Sequence, residues 1–248
     1  MRSLWIPKWL GEAYSKLYGE YRTELFTFED ASKLLKIPKN RLAVCFSKLH
    51  KKGILLIFAR EKPRKYRLLD PESFVLLASE KVKPINIKQE VYVKLVYDTF
   101  RQASSRYDLV SFLIYGSVAR GTAKPESDLD LLMVSDEFKG SLASRIDDLI
   151  AVEKEVFKEI RWLHGKGIYT SLSFFPLRRS EAEKTPILFL DLVDEAKSLF
   201  DKGEFMKNIL NRLNSRLIDM GSRKIFLDDG TWYWDLKPEY KVLEDVEI

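Results

Sequence analysis

The chain has 248 residues, 46% hydrophobic and 32% charged, with 42 Lys and Arg against 37 Asp and Glu. That composition excludes a disordered chain and gives enough material for two or so domains with real cores, and no apolar run reaches the roughly 18 residues a membrane span needs. One cysteine and two histidines exclude an internal disulfide and speak against a histidine-rich zinc site. The opening residues Met1 to Lys8 carry no apolar signal core, which makes the cytoplasm the expected location. Charge is unevenly spread: residues 1–84 hold 18 Lys and Arg against 9 Asp and Glu, while the remainder holds 24 against 28. A nucleic-acid-binding module joined to a neutral or acidic catalytic domain would show this asymmetry.

Residues 8–22 place Leu10, Tyr14, Leu17, Tyr18 and Tyr21 at helical spacing. Thr27, with Asp30 three positions on, reads as an N-cap opening a short helix through Ala31, Leu34 and Leu35 that Ile37-Pro38 ends. A helix over 39–52 carries Leu42, Val44, Cys45, Phe46 and Leu49 as its apolar set, with Gly53 as its stop; within that pattern Cys45 reads as a buried structural thiol. Two β-rich runs, 54–59 and 66–69, flank the basic tip Arg60-Glu61-Lys62-Pro63-Arg64-Lys65. This order resembles a winged helix-turn-helix domain over residues 8–80. The resemblance implies a recognition helix offering Lys39, Asn40, Arg41 and Ser47 to a major groove, and a wing offering Arg60, Lys62, Arg64 and Lys65 to phosphates, with DNA or RNA as partner. A protein-docking or dimerisation module with a solvated basic face is the alternative.

Asp70-Pro71-Glu72 opens a helix over 73–81, residues 83–86 read as a linker, and a long helix is expected over 87–107 with Val91, Val93, Leu95, Val96 and Phe100 on its apolar side. The strand 109–115 then runs into the stretch around which the chain is organised, Tyr115-Gly116-Ser117-Val118-Ala119-Arg120-Gly121, followed by Ser127-Asp128-Leu129-Asp130. On a strand alternate side chains share a face, so Asp128 and Asp130 point one way and Leu129 and Leu131 the other. Two carboxylates on one face repel unless a cation neutralises them, and a hard ion such as Mg²⁺ or Mn²⁺ is the natural partner. Gly116-Ser117 offers a phosphate chain close backbone approach, a hydroxyl and backbone N–H groups.

Gly-Ser-x-x-Arg-Gly followed by Ser-Asp-x-Asp, with ten residues between Ser117 and Asp128, resembles the signature of the DNA polymerase β-type nucleotidyltransferases, in particular their minimal archaeal and bacterial members. The resemblance implies a mixed sheet flanked by helices, and transfer of a nucleoside monophosphate from a nucleoside triphosphate, ATP being expected, to an acceptor. Carried onto this sequence, it gives Gly116 and Ser117 the phosphates, Asp128 and Asp130 the metal and catalysis, and Arg120 and Ser127 places near the nucleotide. It also implies a third acid from a later strand, but the candidate strand 168–175 offers only hydroxyls. Glu181, Glu183 or Asp191 would have to substitute from outside it.

Ser141 opens an amphipathic helix over 142–163 with Ile146, Leu149, Ile150, Val152, Val156 and Ile160 for the core, and its acids, Glu159 among them, read as an exposed face of close ion pairs. His164 reads as a helix-end interaction rather than a general base. After Pro176 come Arg178 and Arg179, read as surface residues that could reach a phosphate, a helical stretch 181–200, a helix over 202–220, and a hairpin, 224–227 with 231–236, turning at Asp228-Asp229-Gly230. Its Trp232, Tyr233 and Trp234 read as core cover before base stacking.

The expected fold class is α+β: a winged helix domain at 1–84, a nucleotidyltransferase-fold mixed sheet flanked by helices at 85–200, and a helix-plus-hairpin extension at 201–248. The acceptor is open between a nucleic-acid end, a small molecule and a protein tyrosine. The rival is a catalytically impaired, nucleotide-binding transcriptional regulator.

Overall fold

The computed structural model describes residues 6–228 and 231–238. The opening pentapeptide and the turn residues Asp229 and Gly230 lie outside them.

The N-terminal third is built from α1 (Lys8–Tyr21), β1 (Phe26–Thr27), α2 (Phe28–Leu35), α3 (Lys39–Lys51), β2 (Leu55–Ala59), β3 (Lys65–Leu68) and α4 (Pro71–Ala78). Local chemistry sets these boundaries. The Thr27 hydroxyl accepts from the Asp30 N–H while the Asp30 carboxylate accepts from the Thr27 N–H, a reciprocal capping box. Asp70 caps α4 by accepting from the Ser73 N–H, with Pro71 in the first turn. The strands form one antiparallel sheet in the order β1-β3-β2. Leu10, Leu17, Leu42, Cys45 and Leu49 close its core; burial pushes the Cys45 thiol up to about 11. Val44 departs from the expected apolar set: it is 48% exposed and lies on the solvent side of α3.

The central sheet takes its strands in the order β6-β5-β4-β7, from β4 (Ser111–Tyr115), β5 (Leu129–Val134), β6 (Leu172–Leu177) and β7 (Lys197–Asp201). β5 and β6 run parallel and the other pairs antiparallel, so the sheet is mixed. α5 (Val93–Ser104) and α7 (Leu142–His164) share one hydrophobic cluster with Phe112, Ile114, Leu129, Leu131 and Met133. α9 (Phe189–Glu195) and α10 (Phe205–Asp219) share another with Leu113, Leu132 and Val134. The period of two along β4 and β5 thus divides the apolar residues between two faces. α6 (Gly116–Arg120) follows β4, α8 (Arg179–Ala182) follows β6, and β8 (Arg223–Phe226) pairs with β9 (Trp232–Asp235) as the terminal hairpin.

Five further expectations are corrected. The helix expected from residue 87 begins only at Val93, after a 3₁₀ turn at Glu90–Tyr92. Gln89 is tied to the loop at Ala123 by two side chain to backbone bonds, and the Glu90 carboxylate accepts from the Ile57 N–H of β2, so long-range partners hold this entry. The strand expected at 168–175 lies at Leu172–Leu177 and contains Pro176, tolerated because β6 is an edge strand. The helical stretch 181–200 breaks into α8 and α9 and ends in β7, which pairs with β4. On α7, Ile150 is 42% exposed, whereas Glu159 is buried. The Glu159 carboxylate receives both Nη groups of Arg67 from β3 and stands 3.6 Å from Lys94, with the Arg67 guanidinium 3.6 Å from the Trp162 ring centre. Helical spacing on α7 suits an exposed ion-pair ladder equally well and carries no sign of Arg67.

Candidate nucleotide site

β4 ends at Tyr115, and the chain turns at once into α6 through Gly116, whose φ of +69° lies in the left-handed region. The neighbouring strand explains the glycine. Tyr115 stands opposite Asp130 in the β4–β5 register, and a Cβ on Gly116 would overlap the Asp130 carboxylate and sit 3.0 Å from its Cγ. The turn proposed for phosphates and the strand proposed for the metal therefore meet in direct contact.

Asp130 shares its sheet face with Leu132 and Val134, the side on which α9 and α10 pack, while Leu129 and Leu131 face α5 and α7. Asp128, just before β5, is exposed and accepts a 2.6 Å hydrogen bond from the Ser171 hydroxyl. Asp130 is half-buried. Its burial pushes the carboxyl above the usual carboxylate range and Asp128 adds to this, against a hydrogen bond from Ser173 and the charge of Arg120. Burial and the nearby Asp130 also push the Tyr115 phenol up to about 12. Ser173 stands opposite Asp130 in the parallel β5–β6 register. Residues 169 to 175 alternate between outward odd and buried even positions, so Ser171 and Ser173 form a row of hydroxyls beside the two acids. That two-residue period was present in the sequence and could have identified the row.

The remaining predicted positions fall as follows. Ser117 is the second residue of α6 and its carbonyl accepts from the Thr122 N–H. The Ser127 hydroxyl accepts from the Lys124 N–H at 2.9 Å, closing the loop ahead of Asp128. Arg120, the last residue of α6, pairs with Glu195 on α9 and lies over the Trp232 ring. Glu181 is held by Arg145 through two hydrogen bonds of 2.6 and 2.8 Å, and Asp191 accepts from the indole N–H groups of Trp232 and Trp234. His164 shares a 2.9 Å hydrogen bond with the Thr170 carbonyl. Arg178 pairs with Glu181 and Arg179 with Asp136. Among the described residues no cluster of three or more His, Cys, Asp and Glu side chains could hold a metal ion. Asp128 and Asp130 offer oxygen ligands with the hardness Mg²⁺ or Mn²⁺ prefers, and could hold such an ion with phosphate and water completing its shell.

Lys39, Asn40, Arg41 and Ser47 on α3, and Arg60, Lys62, Arg64 and Lys65 at the β2–β3 tip, are all exposed and belong to the other module. Arg41 and Lys48 both lie over the Trp9 ring, 5.6 and 5.7 Å from its centre. No helix among the described residues is long and apolar enough to cross a membrane.

A nucleotidyltransferase domain family model matches residues 96–188, which span β4, α6, β5, α7 and β6. Over 122 residues the chain is 30% identical to a protein of Methanocaldococcus jannaschii named as a putative protein adenylyltransferase, covering 49% of this chain and 78% of that protein. The chain belongs to the nucleotidyltransferase domain family, and that membership supports a nucleotidyl-transfer activity. Among solved structures, the chain is similar to one in a crystal structure of a toxin–antitoxin with AMP-PNP, with a TM-score of 0.34, 11% identity, and coverage of 51% of this chain and 92% of that one.

Proposed function

We propose that the protein is a Mg²⁺-dependent nucleotidyltransferase that moves a nucleoside monophosphate, with ATP as donor, onto a protein hydroxyl. The observation that carries this reading is the contact between Gly116 and Asp130, which sets a left-handed phosphate turn directly against one of two acids on a shared face. Asp128 and Asp130 would hold the divalent ion, which when bound supplies charge neutralisation for the triphosphate. Gly116 and Ser117 cradle the phosphates, Arg120 stands beside them, and Ser127 shapes the loop that delivers Asp128. The acceptor oxygen forms a bond to the α-phosphorus, the bond from that phosphorus to the β-phosphate oxygen breaks, and pyrophosphate leaves.

Ser173 beside Asp130 bears on the acceptor. A third carboxylate would take the acceptor's proton, whereas a serine does so poorly. The chemistry therefore favours an acceptor that ionises with little help, such as a tyrosine phenol with a pKa near about 10. The name of the Methanocaldococcus jannaschii relative points the same way, to a protein acceptor. The same serine supports the second reading, a regulator that binds nucleotide without turning it over.

For the first third of the chain, residues 1–84, we infer a winged helix module in the cytoplasm that binds DNA or RNA. Helices α1 to α3, joined through β1 to a three-stranded sheet whose β2–β3 tip is basic, support it, as do the exposed cations of α3. Residues 85–200 would then be the catalytic domain and 201–248 its extension.

The test is incubation with each α-labelled nucleoside triphosphate and Mg²⁺ or Mn²⁺, offering protein extract, tRNA and DNA as acceptors. Transfer that disappears in the Asp128→Asn/Asp130→Asn variant is the expected result. Transfer that survives that variant would refute the assignment, and metal-dependent binding without transfer would select the regulator. For the module, neutralising Lys62, Arg64 and Lys65 should weaken nucleic-acid binding and flatten its salt dependence.

A further inference from the structure

We propose that Glu195 and Trp232, both beyond the family-matched residues, are positioning residues that hold Arg120 for the polyphosphate of the nucleotide; this rests on the reading of Asp128 and Asp130 as the acids of a nucleotide site. α9 presents Asp191 and Glu195 one helical turn apart. Glu195 pairs with Arg120 through one carboxylate oxygen, and its other oxygen accepts a 2.8 Å hydrogen bond from Lys224 on β8. Asp191 accepts from the Trp232 indole at 2.9 Å and the Trp234 indole at 3.2 Å, and lies 3.5 Å from Lys224. The Trp232 ring is thereby fixed, and the Arg120 guanidinium lies over it at 4.7 Å. Arg120 is held on one side by a carboxylate and on another by an aromatic face.

Packing alone does not account for this arrangement. The Glu195 side chain is 7% exposed, and burying a carboxylate is costly unless cations match it, so an apolar residue would fill the space more cheaply. The Arg120 side chain remains 30% exposed, and its charge reaches Asp130. A planar guanidinium, immobilised yet partly exposed, is suited to phosphate oxygens, which it can bind in a two-pronged manner. It sits at the end of the five-residue helix that begins with Gly116 and Ser117. The terminal hairpin thus acts on Arg120 directly through Trp232, and through Lys224 by way of Glu195 on α9.

The experiment is equilibrium dialysis of the full chain with labelled ATP and, separately, AMP, each with Mg²⁺, alongside thermal melts. Wild type is compared with Glu195→Gln, Glu195→Asp, Trp232→Ala and Trp232→Phe. Glu195→Gln and Trp232→Ala are expected to weaken ATP by about tenfold and AMP by less than about twofold, because the outer phosphates lose their guanidinium. Trp232→Phe retains the ring face and should recover most of the affinity. Where Glu195→Gln or Trp232→Ala fails to fold, Glu195→Asp carries the same ATP-against-AMP comparison in milder form, with Trp232→Phe kept as the rescue control. Unchanged ATP affinity, or equal weakening of ATP and AMP, would overturn the positioning role while leaving the nucleotide site standing. No ATP binding by the wild type would overturn both.

Discussion

Gly116→Ala tests the contact from which the site is built. At φ +69° an L-residue costs about 1–2 kcal/mol relative to glycine. The added Cβ also overlaps Asp130 Oδ2 and stands 3.0 Å from Cγ, and relieving that overlap by turning the carboxylate or shifting β5 costs about 1–3 kcal/mol. Together the loss is roughly 2–5 kcal/mol, which at about 2–4 °C per kcal/mol for a chain of this size lowers the melting temperature by roughly 4–20 °C. Asp130→Ala removes Oδ2 and Cγ and leaves the Asp130 Cβ at 3.4 Å, an ordinary contact. In that background Gly116→Ala should cost only the backbone strain of about 1–2 kcal/mol. A double-mutant cycle by urea unfolding in EDTA measures the difference. Equal costs in the two backgrounds would refute the contact, and with it the close approach of the Gly116 turn to Asp130 on β5.

Glu159→Gln leaves Arg67 buried without its counter-charge and should cost about 3–5 kcal/mol, read by chemical denaturation. Glu181 titrates in the opposite sense to a destabilising acid. The hydrogen bonds from Arg145 hold its carboxyl well below the usual carboxylate range, with the Arg178 contacts adding to this. Its contribution is present above the unfolded value of about 4.3 and is lost as pH falls through the depressed folded value. Glu181→Gln should therefore lower the melting temperature at pH 7, and the gap from wild type should narrow steadily below about pH 4. Ser173→Asp puts a third carboxylate opposite Asp130. It should tighten Mn²⁺ binding by titration calorimetry and, if the transferase reading holds, speed label transfer by about a hundredfold, the lower end of what a positioned acid or base contributes.

What could be read from the sequence was what local chemistry decides. The Gly-Ser turn and the Asp-x-Asp spacing are short-range facts, and the capping pair Thr27 and Asp30 lies three residues apart and closes as its spacing implies. The misses share a different origin. Lys197–Asp201 reads as the tail of a helix until β4 supplies its partner strand, a pairing of Ser111 with Asp201 across ninety positions. Glu159 reads as part of an exposed face because its neighbours on α7 allow helical ion pairs, while its partner Arg67 stands ninety-two residues earlier. Glu195 carries no sequence signal and Trp232 reads as core cover for the same reason: neither forms a motif with Arg120, and only the fold brings α6, α9 and the hairpin together. Side chains whose role depends on a distant partner leave no local period or spacing to read.

The buried charges between the two parts of the chain bear on how they act together. Lys94 on α5 faces Asp98, Glu159 and Asp70, and although burial works against its charge, these acids hold the ammonium above its usual range. Arg101 joins Asp70 and Glu72 of the N-terminal part to Asp98 of the central part. Well-packed apolar groups would often give equal or greater stability than such pairs, since desolvation offsets much of the attraction. Charged pairs differ from apolar contacts in direction: Arg67 satisfies both oxygens of Glu159 in one orientation only. The seam therefore fixes angle as well as contact. The α7 helix that receives Arg67 also packs against β6, the strand carrying Ser173 beside Asp130. On the proposed reading, a partner held by the cations of α3 and the β2–β3 tip would meet Asp128 and Asp130 in the one orientation this seam sets.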